Sequence, residues 1–313
     1  MHLQLIYKND KDVFFLHEDA VPYLSFRALD ETGMFPNAFS TRLGGVSEGH
    51  LASMNLTYAK EGEKPEHVLE NYRRFAASAG FDIGRMVVSQ QTHTTNVREV
   101  TEADAGMGVL RERSYTDVDG LVTNTPGLTL VTFYADCVPL YIADPVHRAI
   151  GLSHSGWRGT VNRMGAVTIR KLSALYNSDP SELICCIGPS ICRDCFEVGG
   201  EVAAEFEASF GFSRRSELIY RIDQKNGTEE GAVPEGKTAA SLTPIGPEEK
   251  IDRAKKYYVD LWRANELVFL DAGVLPENIH TTNICTRCNP DVLWSHRKFG
   301  TMRGNLAAFL SIK

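Results

Sequence analysis

Short apolar, β-branched runs alternate along this chain with stretches whose apolar residues fall at helical spacing. Residues 3–7 and 13–16, separated by the polar Lys8-Asn9-Asp10-Lys11, predict an opening hairpin. Residues 65–79 carry Val68, Leu69, Tyr72 and Phe75 on one helical face, with Pro65 suited to the first turn and Gly80 to the position after the last. Strands are predicted over residues 87–100, 128–134, 139–143 and 149–153, the last two joined through an Asp144-Pro145 turn. Residues 162–176 predict a helix with Met164, Val167, Leu172 and Leu175 inward, and 200–210 and 257–272 predict two more. Strands over 183–187, 280–284 and 306–312 complete the pattern. Between 213 and 256 the apolar residues thin out, which reads as a polar insertion or lid. Strands and helices intermingle without strict alternation, so the expected fold is a single α/β domain of mixed sheets flanked by helices.

Composition narrows the function classes. A hydrophobic content of 43% in 313 residues supports a sizeable core. The net charge of −7 argues against a broad nucleic-acid footprint. The first residues lack the apolar core of a signal peptide, and no run is long enough to span a bilayer. The expectation is a cytoplasmic protein without a membrane partner, its seven cysteines mostly reduced. An odd cysteine count also speaks against a disulfide framework.

Three stretches then place metal-capable side chains at turns: Gln91-Thr92-His93, Ala135-Asp136-Cys137 and His154-Ser155-Gly156-Trp157-Arg158-Gly159. Two imidazoles and a thiolate are three of the four ligands of a tetrahedral zinc, and a catalytic zinc keeps its fourth position open. A cysteine after an apolar strand is ordinarily a small core residue, and a strand histidine is ordinarily packed or hydrogen-bonded. The coincidence of all three, with Asp136 beside Cys137 and Arg158 beyond His154, points to a metal site or a metal-free Cys–His pair. Two further pairs, Cys192-x-x-Cys195 and Cys285-x-x-Cys288, lie roughly ninety residues apart, far outside zinc-ribbon spacing. The Gly44-Gly45 turn beside Arg42, and Gly156 and Gly159 beside Arg158, offer backbone N–H groups and guanidinium for an anion such as phosphate. His296 reads as a hydrogen-bonding or substrate-facing residue.

These motifs together resemble the purine nucleoside phosphorylase family once described as multicopper polyphenol oxidases, the laccase-domain proteins. The matching segments are FSTRLGGVS at 39–47, Asn55-Leu56, Gln91 to His93, DGLVT at 119–123, ADCVP at 135–139, HSGWRG at 154–159, IGPSI at 187–191, FEVGGEV at 196–202 and Ser295 to Arg297. They run in family order over nearly the whole chain. Ser155 and Ser190 depart mildly from the pattern, where many relatives have Ala and Cys, and residues 213–256 have no clear counterpart.

The resemblance implies a zinc held by His93, Cys137 and His154, phosphorolysis of adenosine, inosine and methylthioadenosine, and deamination of adenosine. Its partners would be purine nucleosides and inorganic phosphate. Arg42, Gly44, Gly45, Asn55 and Arg158 fall in its sequence blocks as substrate-binding candidates, and Asp136 is the candidate acid–base group. A minority description of the family gives copper and oxidation of phenolics. A multicopper oxidase needs paired histidines for its cluster, and this chain has nine histidines with no His-x-His pair. A metal-free hydrolase with Cys137 as nucleophile and His154 as base is a further reading of the same residues. A nucleoside-binding protein with a vestigial site is a third.

Overall fold

A computed structural model describes residues 3–222, 242–246 and 248–313. They fall into two compact units, Met1–Ile191 with Asn265–Lys313, and Cys192–Ala264. The architecture is mixed α/β, with sheets flanked by helices.

The larger unit holds two six-stranded sheets. The first runs in the order Phe14–His17, Tyr23–Phe26, Asn37–Ser40, Leu306–Ser311, Thr129–Tyr134 and Met86–Val88, antiparallel except at the last pair. The second runs Ile279–Thr281, Ile184–Ile187, Val138–Asp144, Ala149–Ser155, Gly120–Thr123 and Val97–Glu99, with a parallel pair at each edge. A core containing Phe26, Phe39, Tyr134, Tyr141, Leu152 and Trp294 fills the space between them. Tyr141 in the second sheet donates its buried hydroxyl to the Ala38 carbonyl of the first (2.9 Å). Outside the first sheet lies the helix Pro65–Ala79, whose Phe75 stacks on Phe309 with ring centroids 4.3 Å apart. On the second sheet lies the helix Met164–Tyr176, where glycines allow close approach. A Cβ on Gly151 would stand 2.8 Å from Thr168 Cγ2, and one on Gly120 2.8 Å from Met164 Cε. The smaller unit carries a four-stranded antiparallel sheet, Glu197–Gly199, Lys256–Val259, Ile219–Ile222 and Leu242–Pro244, with the helix Gly200–Phe210.

The helix at Pro65–Ala79 has the predicted bounds, and Gly80 takes the left-handed conformation at φ 75° that closes it. The hairpin through Asp144-Pro145 also forms. Other expectations are corrected. Residues 3–7 do not pair with 13–16. Instead Phe14–His17 pairs with Tyr23–Phe26, while Tyr7 bridges to Ile284 and the Ile6 N–H is taken by Asn289. The run 87–100 is two strands in different sheets, because the polar stretch from Ser89 to Asn96 breaks it. The helix expected from 162 is interrupted by Arg163 at φ 61°, and Leu175 is exposed rather than inward. The aromatic start of 257–272 is a strand, Lys256–Val259, and the helix Leu261–Asp271 begins only after Asp260, whose carboxylate accepts from the Arg263 N–H (3.0 Å). The stretch 213–256 contains a short helix and strands where it is described, and residues 223–241 and 247 of that proposed lid lie outside the described residues. Among the described residues no helix is long and apolar enough to cross a membrane.

Tyr141→Phe removes the cross-sheet hydrogen bond while keeping the ring, and leaves a buried carbonyl short of a donor. Chemical denaturation should show a loss of about 1 kcal/mol.

Candidate metal centre

The chain passes between the two sheets of the larger unit at two places that matter here. Residues 89–96 connect Met86–Val88 of the first sheet to Val97–Glu99 of the second, and carry His93. Residues 135–137 connect Thr129–Tyr134 to Val138–Asp144, and carry Asp136 and Cys137. His154 sits near the end of Ala149–Ser155, opposite Pro139 in the antiparallel register. The two crossovers and the strand end converge, so one ligand atom each from His93, Cys137 and His154 lies within 4.8 Å of the others.

The convergence requires unusual backbone. His93 (φ 67°) and Asp136 (φ 90°) are both non-glycine residues in the left-handed region, a conformation that persists where surrounding bonds impose it. Gly156 gives the trio its room, because a Cβ there would stand 3.0 Å from His93 Cδ2 and 3.1 Å from Cys137 Sγ. His154 is buried, Cys137 half-buried and His93 exposed, so the cluster opens toward solvent on the His93 side.

Behind the trio lies Asp119, fully buried just before the strand Gly120–Thr123. Its Oδ2 accepts from His154 Nδ1 (2.8 Å) and from the His93 N–H (3.1 Å), and its Oδ1 accepts from the Thr92 and Thr94 N–H groups (2.8 and 3.0 Å). Burial alone would raise the Asp119 pKa, but the bond to His154 and the amide donors reverse this and hold it below the usual carboxylate value. With Nδ1 bound to Asp119, His154 has Nε2 free for a ligand role. This carboxylate–histidine arrangement is the standard support of a metal-binding imidazole. Sequence reasoning misses Asp119 as a site residue; its only signal there is the Asp-Gly pair opening the DGLVT block.

The donor set therefore fits a divalent metal of borderline softness: two imidazoles, one thiolate, a fixed tautomer and an open side. The metal-free site holds its charges differently. Burial opposes the Cys137 thiolate, yet His154 and then His93 pull its pKa down to about 6. Burial opposes the His154 imidazolium, yet Cys137 and Asp119 push it up to about 9. Between those values the pair is thiolate and imidazolium. Its contribution to folding is lost as pH falls through about 6, where the thiolate protonates, and as pH rises through about 9, where the imidazolium loses its proton.

The other candidates occupy the surroundings. The Asp136 carboxylate accepts from Thr286 Oγ1 (2.7 Å) and the Arg297 N–H (2.6 Å), tying two C-terminal segments to the Cys137 crossover. Arg42 donates to the Pro290 and Ala52 carbonyls (2.8 and 3.1 Å), and its guanidinium lies 3.8 Å over the Trp294 ring. The amides of the glycine turn are engaged locally, Gly45 with Ser53 Oγ (3.2 Å) and Val46 with Asn71 Oδ1 (2.8 Å). Gly44 adopts φ 83° against the Ala20 carbonyl, and Gly45 has no space for a side chain beside Ser53. Asn55 is fully buried, bridging Thr57, Glu63 and the Asn305 N–H. Arg158 is exposed in the helix Trp157–Val161, 4.4 Å over the Trp157 ring. The structure thus brings His93, Cys137 and His154 together, while the Asp136 carboxylate is turned to Thr286 and the Arg297 amide, and Arg42, Gly44, Gly45 and Asn55 are bound into the framework.

Comparison with known proteins gives a consistent result. The profile of the family described as multi-copper polyphenol oxidoreductase laccase matches residues 36–313. The chain is 30% identical over 290 residues to a purine nucleoside phosphorylase of Bacteroides thetaiotaomicron, covering 92% of this chain and 96% of that protein. It is 29% identical over 269 residues to the adenosine deaminase RL5 from an unknown prokaryotic organism, covering 85% and 90% respectively. Among solved structures, that of YlmD from Geobacillus stearothermophilus is similar with a TM-score of 0.75 at 26% identity, over 97% of this chain and 100% of that one.

In metal-stripped protein, alkylation of Cys137 followed by peptide mass spectrometry should titrate with a midpoint near pH 6. His154→Ala should move that midpoint upward, toward an ordinary thiol; an unmoved midpoint would remove the ion pair. Asp119→Asn should weaken metal affinity by about 10–100-fold in a chelator competition, because the ring loses its fixed tautomer.

Proposed function

The chain belongs to the multi-copper polyphenol oxidoreductase laccase family, and from that premise we propose that it is a zinc-dependent purine nucleoside enzyme. Its reactions are phosphorolysis of purine nucleosides and deamination of adenosine, in line with the names of a phosphorylase and a deaminase relative, with adenosine, inosine and methylthioadenosine as the phosphorolysis substrates that the family resemblance implies. The observation that carries this reading is the convergence of His93, Cys137 and His154 with Asp119 behind them.

His93, Cys137 and His154 would hold the metal, and zinc when bound supplies Lewis acidity at the open side of the cluster. The chain's own groups do the rest. Asp119 fixes the His154 ring and ties it to the His93 loop, so that both imidazoles are placed before any substrate arrives. The Cys137 thiolate contributes a negative charge that moderates the metal's acidity without abolishing it. Asp136, next to Cys137 and not itself one of the trio, is the acid–base group, taking or giving a proton at its carboxylate. Thr286 and the Arg297 amide set that carboxylate's orientation. Arg158 supplies an exposed cation beyond His154 for the polar end of the substrate. Arg42, Gly44, Gly45 and Asn55 contribute through the framework contacts they make.

Copper-dependent phenol oxidation fits less well. Beyond His93 and His154, His17 stacks on Tyr23, His67 faces Glu63 and His147 bonds to Asp144, so these three are separately engaged. A metal-free Cys–His hydrolase is the reading that the thiolate–imidazolium pair itself favours, and it predicts turnover insensitive to chelators.

Cys137→Ala and His154→Ala, each assayed for bound zinc and inosine phosphorolysis, test the proposal. Both should lose metal together with activity, by more than the roughly 10–100-fold typical of losing an outer-shell partner. Phosphorolysis that persists without metal would overturn the zinc reading, and phenol oxidation under controlled copper without nucleoside turnover would overturn the substrate class.

A further inference from the structure

The crossover that carries His93 leaves its sheet through a side chain. Met86–Val88 pairs in parallel with Thr129–Tyr134, Val88 opposite Val131, and the Ser89 N–H still donates to the Val131 carbonyl (3.0 Å). The next rung of a parallel ladder would join the backbone of residue 91 to Phe133. The Gln91 carboxamide makes that rung instead. Its Nε2 donates to the Phe133 carbonyl (2.8 Å), and its Oε1 accepts from the Phe133 N–H (2.6 Å). Ser89 Oγ donates to the same Oε1 (2.9 Å). A primary amide offers the donor and acceptor of a peptide group, so Gln91 continues the ladder while its own backbone turns out of the sheet.

Other side chains do not replace it. An ionised glutamate keeps the acceptor but has no donor for the carbonyl, asparagine is one methylene shorter, and leucine fills the volume with neither group. The clamp sits at the root of both crossovers, because Gln91 lies two residues before His93 and Phe133 four before Cys137. Asp119 already ties the His93 loop to His154, and the antiparallel hairpin ties His154 to the strand that begins right after Cys137. Gln91 supplies the remaining side of that triangle, between His93 and Cys137. His93 depends on it most, being the exposed member of the trio, on a left-handed backbone.

We propose that Gln91 is a positioning residue of the metal centre, holding His93 at ligand distance from Cys137 by standing in for a strand. The proposal deepens the zinc reading and rests on it for its consequence in metal binding. Without the clamp, Cys137 and His154 stay together through their hairpin, while the His93 loop is held by Asp119 alone. The trio then behaves as a two-ligand site with a third imidazole that comes and goes.

The test uses the full-length protein loaded with zinc, and with cobalt as a spectroscopic probe. Gln91→Leu should weaken zinc affinity by about tenfold or more in a chelator competition, the scale of losing an outer-shell partner. In the cobalt protein the visible bands of tetrahedral coordination should change as they do in His93→Ala, while the thiolate-to-cobalt charge-transfer band from Cys137 stays. Gln91→Glu, which keeps the shape and the acceptor, should fall between native and Gln91→Leu, and it carries the same comparisons if Gln91→Leu does not fold. In a His93→Ala background the Gln91 substitution should cost no further affinity, because the clamp acts through that ring. In metal-free protein, hydrogen exchange should quicken at the Thr92, His93 and Thr94 amides and not along Val138–Asp144. Unchanged zinc affinity and cobalt bands in a folded Gln91 variant, or the same loss with and without the His93 ring, would overturn the proposal and leave the amide a purely stabilising role. A native protein that binds neither zinc nor cobalt would overturn the metal reading instead; exchange at residues 92–94 then decides the placement of His93, quickened rates supporting it and unchanged rates overturning it.

Discussion

A single buried carboxylate, Asp119, joins two histidine-bearing segments that are otherwise remote in the chain. It accepts three consecutive backbone N–H groups from Thr92, His93 and Thr94, and the Nδ1–H of His154. A buried carboxylate is costly unless it is surrounded by donors, and here the donors belong to the two elements whose rings must meet. Satisfying the charge and assembling the site are therefore the same event. The left-handed backbone of His93 follows, because only a tightly curled loop turns three successive amides toward one acceptor.

The fold places that event at a seam. Two sheets share one core, and the chain crosses between them at residues 89–96 and 135–137. A crossover is irregular by necessity, since strand pairing ends on one sheet before it starts on the other. Its residues are thus available for chemistry, while the strands on either side are fixed by packing. His154, in contrast, stays within strand pairing, and supplies a rigid reference against which the two crossovers are set.

Much of this was legible in the sequence where the relevant forces are local. The helix Pro65–Ala79 was readable from its proline, its apolar spacing and Gly80, and the hairpin around Asp144-Pro145 from two adjacent apolar runs. Cys137 and His154 were readable as neighbours for the same reason, since that hairpin brings them together. What depends on distant segments was not readable. The pairing of Phe14–His17 with Tyr23–Phe26, rather than with residues 3–7, is decided by where the C-terminal loops capture Ile6 and Tyr7. The division of 87–100 between two sheets is a property of the assembled core, and so is the role of Asp119. Arg42 looked like a free cation beside a glycine turn, and only the folded chain shows the carbonyls and the indole that occupy it.

The negative groups near the trio also carry a consequence for the valence of any ion the site takes. Asp119, fully buried, and the half-buried Cys137 thiolate together bring two negative charges to the site. A divalent cation makes that region electrically neutral, with both imidazoles uncharged. A monovalent ion leaves a net negative charge there, and a trivalent ion a net positive one, each opposed by the low polarity of the surroundings. On the zinc reading, the pair would thus favour a divalent ion by charge, alongside ligand softness and geometry.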